Sequence, residues 1–127
     1  MLQSTENVDG IYPSTGGYAH SMLIDAPSRW LVTSGTMGLD CDWNALPTID
    51  AQLDAIWTNI DAILSANAFS LSDIVHLNCM LADPSYSKAN AAAIRSALNG
   101  RAVPRTVFCV QLLDQSWLAE IQVTAAQ

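Results

Sequence analysis

The chain has 127 residues; half are hydrophobic, only 13% are charged, and the formal net charge is −7. That is one domain, residues 1–127, long enough to bury about two-thirds of the surface its unfolded chain would expose. Charge this sparse, against about a quarter of residues in ordinary domains, leaves apolar surface over after folding and points to a homo-oligomer, while five basic residues that form no run (Arg29, Lys88, Arg95, Arg101, Arg105) exclude a nucleic-acid partner, because phosphate backbones are held by clustered Lys and Arg.

The opening Met1-Leu2-Gln3-Ser4-Thr5-Glu6 lacks the positive start and apolar stretch of a signal peptide, and no apolar run approaches the roughly 18 residues of a membrane span. A soluble cytoplasmic protein with no membrane partner is expected. Residues 19–25 and 30–34 read as two strands joined through the hairpin connection Ala26-Pro27-Ser28. Residues 37–47 show no periodicity and are expected to form a loop. Leu53, Ile56, Trp57, Ile60, Ile63 and Leu64 then recur at three- and four-residue steps, which predicts a helix over 50–67 with Thr48 or Asp50 as its cap.

Residues 74–81 predict a strand with Val75, Leu77, Cys79 and Leu81 on one face and His76 and Asn78 on the other. Asp83-Pro84 is a helix start, a capping carboxylate followed by a proline whose missing donor costs nothing there. Tyr86, Ala89, Ala93, Ile94, Ala97 and Leu98 form that helix's buried stripe, and Asn99-Gly100 its stop, since both residues tolerate the left-handed conformation. Residues 106–112 and 117–125 are the closing strands. The order is β-β-α-β-α-β-β, with room for a further short strand near the start. It predicts an α+β fold, a two-layer mixed β-sheet with two helices on one face and the other face left for subunits to cover.

Cys41, Cys79 and Cys109 are odd in number and contain no CxxC spacing, so neither a disulfide framework nor a zinc site is expected; Cys79 and Cys109 read as small core residues. His20 and His76 lie too far apart to imply a metal, and no metal or cofactor is expected. There is no GxSxG, Walker loop or dinucleotide-binding turn.

Chemistry-bearing residues are few. Arg105, between Pro104 and Thr106 at the head of an apolar run, offers a planar fork able to grip a carboxylate with two parallel hydrogen bonds. Glu120 has apolar neighbours in the last strand, where loss of water disfavours ionisation and suits a carboxyl to proton handling. Equally, Glu120 is placed to be Arg105's ion-pair partner across adjacent strands, and the sequence leaves both roles open. Gly16-Gly17-Tyr18 sets a phenol beside flexible backbone, and Thr33-Ser34-Gly35 ends a strand with a hydroxyl and an unobstructed amide, both able to meet an anion.

Together these stretches resemble the Rid (RidA, or YjgF-type) family of enamine/imine deaminases. Gly16-Gly17-Tyr18-Ala19-His20-Ser21 is similar to the family's Gly-Pro-Tyr segment, and Leu31-Val32-Thr33-Ser34-Gly35 to its Ser-Gly-Gln strand. Ala51-Gln52 through Asn59-Ile60 and Ile63-Leu64 resemble the first helix, Ser72-Asp73-Ile74-Val75 and Leu81-Ala82-Asp83 the strand after it, and Asn90 an asparagine of the second helix. Pro104-Arg105-Thr106 is similar to the Pro-Ala-Arg-Ser hallmark, and Ala119-Glu120-Ile121 to the final Glu-bearing strand.

The resemblance implies a chorismate-mutase-like α+β subunit, a homotrimer with intersubunit active sites, and cofactor-free hydrolysis of 2-aminoacrylate-type intermediates to 2-keto acids and ammonia. It further implies catalytic roles for Arg105, Glu120 and Tyr18, and substrate-binding roles for Ser34, Gly35, Asn90 and the backbone carbonyl of Val107. Thr36 stands where the family usually has glutamine, Val103-Pro104 where it has Pro-Ala, and Val107 where it often has cysteine; the 37–49 loop, with Cys41 and Trp43, is atypical. Relatives with larger unsaturated substrates, a carboxylate-binding protein without turnover, and ribonuclease activity are the alternatives the resemblance carries with it.

Overall fold

The computed structural model describes residues 2–127. In chain order its elements are strands β1 (Leu2–Thr5), β2 (Ser21–Ile24), β3 (Trp30–Val32) and β4 (Thr36–Met37), helix α1 (Ile49–Ala66), strand β5 (Ile74–Leu81), helix α2 (Ser87–Ala97), and strands β6 (Arg105–Cys109) and β7 (Ala119–Ala126). The main sheet runs β3-β7-β5-β6, with β4 also on β7. Among the described residues, only the β5–β6 pair is parallel. Both helices cover the same face of this mixed sheet, as the element order predicts.

Periodicity explains the layers. Val75, Leu77, Cys79 and Leu81 of β5 and Ala119, Ile121, Val123 and Ala125 of β7 are all buried. All but Val75 pack against Leu53, Ile56, Trp57, Ile60 and Leu64 of α1 and Ile94 of α2; a bulge between Ile74 and His76 puts Ile74 in this cluster in place of the expected Val75. Thr48, not Asp50, caps α1: its hydroxyl accepts from the Ala51 amide at 3.1 Å. Ile63 lies at the edge of the stripe and stays exposed. Asp83 accepts from the Ser85 amide at 2.8 Å and Pro84 opens a single 3-10 turn ahead of α2. Beyond α2, Asn99 and Gly100 take the left-handed φ of 52° and 79°.

Two expectations fail. The hairpin through Ala26-Pro27-Ser28 does not form: β2 pairs with β1 in a separate two-stranded ribbon, and β3 pairs with β7. Ala26 is left-handed (φ 48°) and Pro27 has no donor, while the Ser28 and Arg29 amides donate to the Gln127 carbonyl at 2.6 and 3.1 Å. The chain therefore changes sheets at this point. Cys109 is exposed and not a core residue, because β6 is the sheet's edge strand and ends there, short of residue 112. No helix among the described residues is long and apolar enough to cross a membrane.

One buried polar side chain ties the layers together. Gln52, 1% exposed, donates to the carbonyls of Leu46 and Ser116 and accepts from the Leu118 amide, each at 2.8 Å. Leucine there would deprive three part-buried backbone groups of their partner. Gln52→Leu is expected to cost on the order of 3 kcal/mol and to lower the Tm by roughly 10 °C, read by thermal denaturation; an unchanged Tm would refute the role.

Candidate functional site

Arg105 opens β6 opposite Leu77 of β5. Paired residues share a face and Leu77 is buried under the helices, so Arg105 leaves the sheet on the helix side, at the edge strand, towards α2. Its Nη2 donates to the Gly16 carbonyl at 2.8 Å. Gly16 and Gly17 hold φ of +100° and +85° with open space where a Cβ would be, so the left-handed backbone rather than crowding calls for glycine here. The remaining guanidinium donors face no carboxylate within salt-bridge distance among the described residues. Burial pulls the Arg105 pKa below the ordinary arginine value; the charge of Arg95 pulls the same way, and Cys79 and Tyr18 oppose it. A desolvated fork with open donors is chemically ready for an incoming anion.

Tyr18 and Asn90 adjoin this group. The Tyr18 ring meets His20 edge-on at 5.6 Å, and His20 meets Tyr12 at 5.2 Å while its Nε2 lies 2.9 Å from the Tyr12 carbonyl oxygen. His20 thus sets the tilt of the Tyr18 ring, a role hidden in sequence because the partners are two and eight residues away. Asn90 of α2 is 2% exposed, and its Oδ1 has no hydrogen-bond partner. Its side chain reaches the Cys79 thiol, which burial pushes up to about 11. Because folding favours the protonated thiol, that contribution to stability is complete below pH 9 and is lost as pH rises through about 11. Cys79 is accordingly expected to resist thiol reagents until the protein unfolds; modification in the native state would show that the site opens.

A second group lies elsewhere. Glu120 pairs with Met80 of β5 and Met37 of β4, on the sheet face away from the helices. Gly35 approaches it so closely that a Cβ on Gly35 would overlap the Glu120 carboxylate. Thr33 fixes this turn: its hydroxyl donates to the Ser34 carbonyl at 2.8 Å and accepts from the Val123 amide at 3.1 Å. Gln122 donates to the Thr33 carbonyl at 3.1 Å and accepts from Asn78 at 3.3 Å. The exposed Ser34 hydroxyl makes no hydrogen bond among the described residues, and with Thr36, Asn59, Ile63 and Trp43 it lines a groove of about 570 Å³.

The sequence-derived candidates therefore fall into two separate groups. Arg105, Tyr18 and Asn90 form one, with Val107 two residues further along the same strand face and 40% exposed. Ser34, Gly35 and Glu120 form the other. Within one chain they do not meet. Arg105 lies at the level of Leu77 and Glu120 at that of Met80, two strands and three residues apart, or roughly 14 Å between Cα atoms, on opposite faces. The alternative in which Glu120 is Arg105's partner on an adjacent strand is excluded, since β5 runs between them. Sequence reasoning also missed that Arg95 and Arg101 converge on the Gly16-Gly17 cleft beside Arg105; the Asn99-Gly100 turn that folds Arg101 back was the available signal.

A family model described as Endoribonuclease L-PSP matches residues 12–127. No curated protein matches the chain. Among solved structures it is similar to YyfB of the Rid protein family from Yersinia pestis (22% identity, 99% of this chain and 98% of that one, TM-score 0.84). It is similar also to RidA from an Antarctic Psychrobacter (23%, 98% and 100%, 0.74) and to a YjgF/YER057c/UK114-family member from Mycobacterium tuberculosis (21%, 100% and 100%, 0.68). At these identities the structures speak for the fold, and the family model for descent over nearly the whole chain. The chain belongs to the Endoribonuclease L-PSP family, whose structural relatives are the Rid/YjgF proteins.

Proposed function

We propose that the protein hydrolyses small enamine and imine intermediates of the 2-aminoacrylate type to a 2-keto acid and ammonia, without a cofactor, at sites completed between the subunits of a homotrimer. The observation that carries this reading is the division of the site: a half-buried guanidinium with open donors on one face and edge, and a carboxylate held against a glycine on the other. A second copy that laid its Glu120 face over the Arg105 edge would join them.

Arg105 would take the substrate carboxylate in its fork, the open Asn90 acceptor and the Val107 carbonyl would receive N–H donors, and Tyr18 would close the pocket. The imine carbon is already electrophilic, so orientation and one proton relay suffice. The neighbour's Glu120 would accept a proton from water as its oxygen bonds to that carbon and return it to nitrogen. The same carboxylate would then pass the new hydroxyl's proton to nitrogen, so that the C–N bond breaks as the C=O forms, ammonia leaves and the 2-keto acid remains. Ser34 and Gly35 would line the wall on the Glu120 side.

The test is to generate 2-aminoacrylate from serine with a dehydratase and follow pyruvate release. Acceleration over spontaneous hydrolysis is expected, and none would reject the reading. Saturable 2-keto acid binding without acceleration would identify a carboxylate-binding protein instead. The family description favours a ribonuclease as a further reading, although a net charge of −7 works against an RNA partner. RNA cleavage abolished by Glu120→Ala would establish it.

A further inference from the structure

Three of the five basic residues of a chain with net charge −7 line one cleft of about 90 Å³. Arg95 comes from the last turn of α2, Arg101 from the segment after it and Arg105 from the head of β6. None of the twelve acidic residues lines this cleft, and the Arg95 charge acts against that of Arg105.

The three arginines are not equivalent. Arg101 Nη2 donates to the Leu71 and Ile74 carbonyls at 3.0 and 3.1 Å, with the charge of Asp73 nearby, so it braces the entry to β5. Arg105 commits one donor to Gly16. The Arg95 guanidinium makes no hydrogen bond or ion pair among the described residues. A helix's last turn favours a cation on any of its sides, yet Arg95 falls on the side shared with Ala91, which turns it into the cleft beside a like charge. Across from it, Gly16, Gly17 and Gly100 present bare backbone with nothing within 4 Å of where a Cβ would stand. The volume has room for one end of a small ligand, a carboxylate and a carbon or two, given that a water occupies about 30 Å³ of liquid, so a dicarboxylate would lie partly outside it, and it is too small for a nucleotide.

We propose that Arg95 and Arg105 form a two-point anion receptor, so that the preferred ligand is a small dicarboxylate: the imine, and the 2-keto acid product, of an amino acid with a carboxylate side chain. The 1-carboxylate sits on Arg105 and the distal carboxylate on Arg95. A monocarboxylate leaves Arg95 unopposed, whereas a dianion relieves the repulsion between the two guanidiniums. This inference rests on the carboxylate-binding role of Arg105 and adds the identity of the substrate's other end.

Calorimetric titration of the protein, as it assembles in solution, with pyruvate, oxaloacetate and 2-oxoglutarate tests it. At low salt a dicarboxylate is expected to bind about tenfold tighter than pyruvate, as an added charge contact of ordinary strength would give, and the ratio should shrink as salt is raised. In Arg95→Gln the ratio should fall to near one, in Arg95→Glu it should invert, and in Arg95→Lys it should persist, with melting curves confirming that each variant folds. Equal affinities in the unmodified protein, or an undiminished ratio in Arg95→Gln, overturn the inference. Hydrolysis of 2-aminoacrylate without a dicarboxylate preference leaves the deaminase reading standing and removes the inference. A preference in binding without hydrolysis of any imine does the reverse, and no binding of any of the three acids removes the inference, with pyruvate release alone deciding the deaminase reading.

Discussion

Arg105→Ala is expected to lower kcat/KM for 2-aminoacrylate hydrolysis roughly a hundred- to a thousandfold, the equivalent of about 3–4 kcal/mol for a lost charge-assisted bidentate contact, while the Tm stays within a few degrees. The two halves of this expectation have one cause. In the folded chain the guanidinium makes a single hydrogen bond, to the Gly16 carbonyl, and has no carboxylate partner among the described residues. Folding removes it from part of its water and sets it near another arginine, so alanine relieves a cost as well as losing a bond. A residue that held the fold together would behave differently: its loss would lower the Tm first and the activity in consequence. Arg105→Lys keeps the charge but loses the planar fork and should recover only part of the rate. An Arg105→Ala protein as active as the original would reject the assignment, and a large fall in Tm would make the residue structural.

Gly35→Ala is the second variant with a large expected effect. A Cβ at this position overlaps the end of the Glu120 side chain, which is flexible and lies on the open face of the sheet, so Glu120 must swing away. Gly35 is not among the residues with positive φ, and alanine there even gains a few tenths of a kcal/mol from a less flexible unfolded chain. Activity is expected to fall about a hundredfold, as for loss of a positioned proton carrier, with stability changed by less than about 1 kcal/mol. Glu120→Gln should cost a similar factor, and the double variant little more than either alone, because both remove the same group. Gly38→Ala provides the contrast. Its Cβ would overlap the backbone of Gln52 in α1, which cannot rotate out of the way, so this variant should lose stability. If Gly35→Ala retains full turnover, Glu120 is not the proton carrier.

Whatever follows from local periodicity was legible in the sequence. β5 has the bounds its alternation predicts, α1 lies within a residue of its predicted span, and in β7 Ala119, Ile121, Val123 and Ala125 alternate into the core, with Ala126 buried besides. Arg105 and Glu120 could be singled out because charges inside apolar runs are uncommon. Partner choice was not legible. The apolar alternation of β2 and β3 states that each is a strand, but only the left-handed Ala26 and the Gln127 carbonyl decide that they join different sheets. Nor does sequence separation say that Arg105 and Glu120 face opposite sides of a sheet with β5 between them, or that Arg95, ten residues before Arg105, lies beside it.

The position of β7 also bears on how the protein is made. Residues 119–126 run through the main sheet, antiparallel to β3, β4 and β5. β3 and β4 therefore have no partner until this segment is made, and β5 until then has only β6. On the ribosome α1 and α2 can form locally, but their apolar stripes have no completed sheet to cover until residues 119–126 have left the exit tunnel. Folding of this domain is thus expected to await residues 119–126, with long-range pairing as its slow step. A nascent chain arrested before residue 119 should remain protease-sensitive and bound by chaperones.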